Sequence, residues 1–244
     1  MRELRILIPI VALLVLIAGC QSATAGEGGG PAVDKPPVGA VFAAGDDFEL
    51  RYMPGVPVSD REWDVELEYD VRDLQGIFDH FDAQLVAAGF QRFDLEEDSD
   101  EIEADYHRAS DGLRVDLEVE LDGGWTEVDL DIDAPGPPAS GEEWFDLSSF
   151  AGLVLDFDYP GASIVDVEWD FDFEHPASAV SASEAFDYYD GLLAGMDWSR
   201  YDLEIDGEEY EADYVRDGVR LELEVERDDG MIEVELELNK ARFY

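Results

Sequence analysis

The stretch from Arg114 to Asp133, RVDLEVELDGGWTEVDLDID, alternates apolar and acidic residues almost without a break. A period of two sends successive side chains to opposite faces of a strand. Leu113, Val115, Leu117, Val119 and Leu121, then Val128, Leu130 and Ile132, therefore share one face, and Asp116, Glu118, Glu120, Glu127, Asp129 and Asp131 share the other. Asp122-Gly123-Gly124 supplies the turn between them. Near the C-terminus the pattern returns, with Glu222, Glu224 and Glu226 beside Glu233, Glu235 and Glu237 and a turn at Asp228-Asp229-Gly230. Such a chain is constrained to an antiparallel sheet with one buried face and one wet, acidic face. Like charges opposite each other across strands cost a few tenths to about 1 kcal/mol per pair. In about 1 M salt the screening length falls to roughly 3 Å, which removes most of that repulsion.

The recurrence extends well beyond the hairpin. EADYHRASDGLRVDLEVE is echoed by EADYVRDGVRLELEVE, and Pro54-Gly55, Glu62-Trp63-Asp64 and Arg92-Phe93-Asp94-Leu95-Glu96 align with Pro160-Gly161, Glu168-Trp169-Asp170 and Arg200-Tyr201-Asp202-Leu203-Glu204. A match that persists through strands, helix and turns indicates duplication. Within each unit Trp63, Val65, Leu67 and Tyr69 alternate with acids as a strand. Leu74, Ile77, Phe78, Phe81, Leu85 and Val86 then recur at helical spacing, with Gly89 at the C-cap. In the second unit Ser181 and Glu184 have capping-box spacing ahead of Phe186, Tyr189 and Leu193. The expected fold class is α+β: two tandem two-layer modules, each a strand, one helix and an antiparallel meander, with the helix packed on one sheet face. The expected domains are a signal peptide at 1–19, a lipidated Cys20 with a flexible tether at 20–45, module 1 at 46–133, a Gly/Pro linker at 134–143 and module 2 at 144–244.

At the N-terminus, Arg2 and Arg5 precede an apolar run from Ile6 to Ala18, too short to span a bilayer comfortably, and so read as an export signal. Ile17-Ala18-Gly19-Cys20 resembles a bacterial lipobox. That likeness implies cleavage before Cys20 and acylation of its sulfur, and Cys20 is the only cysteine. Lipidation leaves no thiol for an intramolecular disulfide and holds the mature chain at a membrane without spanning it. Gln21 at the next position implies the periplasmic side of the outer membrane in a Gram-negative cell, and the cell surface otherwise.

Tyr159-Pro160-Gly161-Ala162, with Tyr189-x-x-x-Leu193-x-x-x-Asp197-Trp198 at the helix end, resembles small exported modules of bacterial lipoproteins that read Y-P-G-A and Y-x-x-x-L-x-x-x-G-W. The first unit is looser, with Met53-Pro54-Gly55-Val56 and Phe81-x-x-x-Leu85-x-x-x-Gly89-Phe90. The resemblance implies a fold and a location, and brings no catalytic residue. Asp197 stands where that pattern has glycine, which implies a looser helix end.

The chain carries 62 acidic against 15 basic residues, a formal charge of -47, with 46% hydrophobic residues to fill a core. That charge excludes nucleic acid and anionic lipid as binding partners and leaves cations or a basic envelope protein. Lys35 and Lys240 are the only lysines, and an acidic, lysine-poor surface resembles those of halophiles. The competing reading is Ca²⁺ or Mg²⁺ bound by carboxylate oxygens. The segment DLEIDGEEYEAD approaches an EF-hand loop, making Asp202, Glu204, Asp206 and Asp213 the candidate metal ligands, although no helices flank it and Asp206-Gly207 suits a hairpin turn. Histidines 80, 107 and 175 share no ligand spacing and read as exposed or capping residues. Trp63 and Trp169 read as core. With no nucleophile elbow and no phosphate loop, the expected role is non-catalytic binding or structure, without an organic cofactor, and an uncharacterised hydrolase is the distant alternative.

Overall fold

The period-two segments fold as long strands whose apolar side chains are buried one after another. In a computed structural model, residues 39, 41, 44–45, 48–138, 144–146 and 150–239 are described, within a unit spanning Val33–Tyr244. The export signal, Cys20, most of the tether and residues 139–143 of the linker lie outside the described residues.

In chain order the elements are β1 (Glu49–Arg51), β2 (Ser59–Tyr69), α1 (Leu74–Ala87), β3 (Gln91–Arg92), β4 (Glu96–Glu97), β5 (Glu101–Arg108), β6 (Leu113–Glu120), β7 (Thr126–Ala134) and β8 (Trp144–Asp146). They continue as β9 (Ile164–Pro176), α2 (Ala182–Gly195), β10 (Ser199–Arg200), β11 (Glu204–Asp206), β12 (Glu209–Arg216), β13 (Val219–Asp228) and β14 (Met231–Leu238). Twelve strands form one antiparallel sheet in the order β10-β12-β13-β14-β9-β2-β7-β6-β5-β3, with β11 on β12 and β4 on β5. The fold is therefore mixed α+β, mostly antiparallel sheet. Outward from β2 and outward from β9 the strand order is the same, and the sheet is continuous because β2 and β9 pair with each other.

Both helices cover the apolar face. Asp73 caps α1 by accepting from the Gly76 N–H, and α2 starts with the Ser181–Glu184 capping box. α1 buries Ile77, Phe78, Phe81 and Leu85, whereas Val86 is 52% exposed. Val86 lies one residue, about 100° of helix rotation, beyond Leu85 and turns off the buried stripe. Each helix is pinned to the sheet in the same way. Asp82 of α1 accepts from the Tyr106 hydroxyl at 2.8 Å and pairs with Arg92 at 3.1 Å. Asp190 of α2 accepts from the Tyr214 hydroxyl at 2.8 Å and pairs with Arg200 at 2.9 Å.

Both helix ends close with the same two backbone bonds. After α1, Phe90 N–H reaches the Leu85 carbonyl at 3.1 Å and Gly89 N–H that of Val86 at 3.1 Å. After α2, Trp198 N–H reaches Leu193 at 3.1 Å and Asp197 N–H reaches Ala194 at 3.3 Å. Asp197 takes a φ of 66° to do so, against 93° for Gly89. The α2 end is thus capped, at a left-handed backbone that costs a non-glycine residue on the order of 1 kcal/mol.

The segments leading into β2 and β9 are exchanged. The one before β2 packs on β9 and α2: Tyr52 meets Phe173 edge-on at 5.3 Å, Tyr188 Oη donates to the Tyr52 carbonyl, and Arg216 donates to the Ala44 carbonyl at 3.2 Å. The one before β9 packs on β2 and α1: Phe150 stacks on Trp63 at 5.9 Å, Tyr69 Oη donates to the Phe157 carbonyl at 2.7 Å, and Arg108 donates to the Ala151 carbonyl at 3.3 Å. β1 and β8, one from each segment, pair antiparallel. Phe150 is 2% exposed and also meets Phe171 of β9 edge-on, so it belongs to both sides of the β2–β9 seam. Phe150→Ala should cost about 3–5 kcal/mol in urea unfolding, with a single transition; a loss below about 1 kcal/mol would show that the exchanged segment is not integral to the core.

Candidate functional site

The face of the sheet opposite the helices is made of carboxylates, and strand register places them in rows. One row crosses eight strands: Asp105, Asp116, Asp131, Asp64, Asp170, Glu237, Glu222 and Asp213, each directly paired with the next. Its midpoint is the Asp64–Asp170 pair on β2 and β9. A flanking row runs through Asp133, Glu62, Asp172, Glu235, Glu224 and Glu211. On the other side of the first row, Glu103, Glu118, Asp129, Glu66 and Glu168 align. This ladder follows from two facts of the sequence, strict alternation and hairpins closed in register.

All eight residues of the first row are half-buried, because neighbouring acids shield one another from water. A carboxylate loses hydration there and faces further negative charge, and both effects favour the protonated form. Burial, followed by Asp105 and Glu103, raises Asp116 to about 6. Burial with Glu66 and Glu120 raises Glu127 to about 7, and burial with Glu62 and Asp133 raises Asp131 to about 7. Asp172 is pushed to about 8 by burial, then by Asp170 and Glu62. Asp64 and Glu235 are raised too, first by burial, then by Asp129 beside Asp64 and Asp170 beside Glu235. The buried Oδ1 atoms of Asp116, Asp131 and Asp172 have no hydrogen-bond donor within reach.

Among the described residues, two groups of three carboxylates bring oxygens within 4.8 Å of one another: Glu66, Glu68 and Glu127, and Asp170, Asp172 and Glu235. The candidates Asp202, Glu204, Asp206 and Asp213 belong to neither group. Glu204 and Asp206 lie on β11, which turns at Gly207 (φ 71°) into β12, and Asp202 accepts from the Leu203 N–H at 2.9 Å. Asp213 sits on β12 opposite Glu222, as a member of the eight-carboxylate row. The sequence singled out the segment with a loop-like spacing, whereas these two groups draw their carboxylates from different strands, β2 with β7 and β9 with β14. Only the pairing partner of each strand could have identified them.

The histidines lie apart. His107 is exposed on β5. His80 on α1 bonds the Asp156 carbonyl through Nε2 at 2.8 Å. His175, read as exposed or capping, is instead fully buried. It falls on the apolar side of β9, with Nδ1 at 2.8 Å from the Pro57 carbonyl and Nε2 at 3.2 Å from Tyr189 Oη. Burial lowers its pKa, so it is a neutral core residue that fastens the exchanged segment. Trp63 and Trp169 are core residues as expected, 1% and 3% exposed. At one end of the acidic face an open depression of about 710 Å³ is lined by Phe93, Asp105, His107, Arg114, Asp116, Asp131 and Asp133 among others. Among the described residues no helix is long and apolar enough to cross a membrane.

The raised carboxyls bind protons more tightly folded than unfolded, so the stability they contribute is complete at about pH 4, the ordinary carboxylate range, and is lost as pH rises toward about 8. His175 works the other way, since its lowered pKa removes stability as pH falls below 6.5. The carboxyls outnumber it. In low salt the melting temperature should therefore be higher at pH 5 than at pH 8. Molar NaCl should narrow that difference without abolishing it, because screening acts on repulsion and not on burial. A melting temperature that rises from pH 5 to pH 8 in dilute buffer would contradict the assignment.

Comparison of the chain with protein-family models, with curated proteins and with solved structures yields no match.

Proposed function

We propose that this chain is a non-catalytic cell-envelope protein, anchored by lipid on Cys20, whose acidic sheet face is adapted to cation-rich water and serves for binding. The observation that carries the reading is the row of eight carboxylates, one per strand. A face so rich in carboxylates has the character of a charged surface. The sequence supports the anchor, with an export signal ending in Ile17-Ala18-Gly19-Cys20. Duplication of one α+β unit, with module boundaries at 46–133 and 144–244, is supported by the matching strand orders on either side of the β2–β9 seam. The exchanged leading segments then make the two copies depend on each other. Residence at the outer membrane facing the periplasm, or at the cell surface, is part of the same reading.

A second reading is divalent-cation binding, favoured by the convergence of Asp170, Asp172 and Glu235. Any carboxylate ladder brings some oxygens close, so the readings part on ion specificity and not on geometry. Two measurements test them. Cys20→Ser in the full chain should move the protein from the membrane to the soluble fraction of an expressing cell; retention in the membrane would sink the lipid anchor. In dilute buffer at pH 7.5, thermal stability should climb with NaCl over the molar range and respond to millimolar CaCl₂ or MgCl₂ no more than to NaCl of equal ionic strength. A saturable jump at millimolar divalent ion, lost in Asp172→Asn, would replace the first reading with the second.

A further inference from the structure

We propose that His175 is an acid-sensitive latch: its protonation frees the loop at 53–57 from β9 and α2 while the sheet stays folded. This goes beyond the binding role proposed above and does not depend on it. A carbonyl only accepts, so the Pro57 carbonyl, 2.8 Å from Nδ1, fixes the ring proton there. Nε2 is then bare and accepts from the Tyr189 hydroxyl at 3.2 Å. The Met53 N–H faces the same hydroxyl. Neutral His175 thus ties both ends of the loop, Pro57 directly and Met53 through Tyr189. A further proton would set an N–H at Nε2 against the Tyr189 hydroxyl, on a ring that is fully buried, edge-on to Phe173 at 5.3 Å and stacked on Tyr189 at 6.4 Å. The titratable groups facing it are tyrosines: Tyr189, behind it Tyr188 on α2, and Tyr52 on the leading segment. Arg51 acts on Tyr188 and would repel a second cation. β14 presents Ile232 opposite His175, and the neighbouring Glu174–Glu233 pair belongs to the wet face. Burial is accordingly what lowers the His175 pKa.

Lifting the loop gives the imidazolium water and uncovers little of the core. Pro54, Gly55 and Pro57 are exposed and Met53 and Val56 half-buried, whereas Tyr52 and Val58 on either side are buried and hold the ends. The Val56 N–H closes a turn on the Met53 carbonyl at 3.2 Å, with Gly55 at φ 80°, so the loop moves as a preformed piece. A cleft of about 360 Å³ between it and Pro137-Pro138 leaves room. At the matching place in the first unit, as far from Trp63 as His175 is from Trp169, stands Tyr69, which donates to the Phe157 carbonyl at 2.7 Å. Burial raises that phenol, so it keeps its proton. Acid therefore acts on one exchanged segment and not on the other. Because the pKa of His175 is lowered in the closed loop, the latch is complete above pH 6.5 and weakens as pH falls below it. The carboxyl face gains over the same range, so the loop opens within a sheet that holds.

The test is amide hydrogen exchange by NMR on the full chain in detergent, corrected for the intrinsic pH dependence of exchange. From pH 7.5 to pH 5.5 protection at Met53 should fall several-fold, with a ceiling of about tenfold set by the ordinary histidine value of 6.5. Val65 and Leu223, within the sheet, should keep theirs. His175→Asn, whose amide stands near the place of Nδ1 and does not titrate, should abolish the fall at Met53. In the unmodified chain, the ¹⁵N shifts of the His175 ring should titrate with the same midpoint as the Met53 response, a readout that needs no variant. A Met53 response that is flat, that survives in His175→Asn, or that comes with an equal loss at Val65 and Leu223 would overturn the latch. So would a His175 ring that stays neutral while Met53 opens.

Discussion

The rest of the structure depends on the pairing of β2 with β9. Asp64 opposes Asp170, Trp63 opposes Phe171, and Val65 opposes Trp169. On the apolar side the seam gathers Trp63, Phe171 and Phe173 under Phe145 and Phe150, rings that both come from the segment leading into β9. On the wet side it brings carboxylates face to face at the centre of the sheet. The two faces contribute opposite terms, and their sizes decide the outcome. Each large apolar side chain buried contributes about 1.5–3 kcal/mol. Each like-charge pair across strands costs at most about 1 kcal/mol. The core wins, and the repulsion persists as a property of the folded surface.

That surface differs from an ordinary halophile coat in one respect. Scattered exposed carboxylates keep their water, so salt has only long-range repulsion to screen. Here the acids stand in rows, half-buried by each other, and loss of hydration is the first cause of the raised values at Asp116, Asp131 and Asp172. Bulk salt leaves that part in place. Protons, directly bound cations or a cationic partner can remove it.

Much of the sheet could be read from single residues. Alternation located β6, β7, β13 and β14, the capping box located the start of α2, and Trp63 and Trp169 were correctly placed in the core, because each of these depends on local spacing. The pairing of β2 with β9 could not be read: both strands alternate equally well, and nothing in either names its neighbour. The exchange of leading segments was hidden for the same reason, since Phe150 meets Trp63 and Tyr52 meets Phe173 across more than eighty residues of chain. His175 was misplaced because a polar residue next to proline suggests a surface turn, whereas the alternation begun at Val167 carries it into the core. The near-EF-hand spacing of Asp202 to Asp213 belonged to a hairpin, whose turn glycine serves both patterns.

The most direct measurement is a site-resolved carboxyl titration by NMR, in low salt, following Asp131 and Asp172. Asp131 should titrate near 7 and Asp172 near 8, well above the ordinary carboxylate range. Titration of both near 4 would show a solvated surface with independent charges and would contradict a shielded carboxylate row.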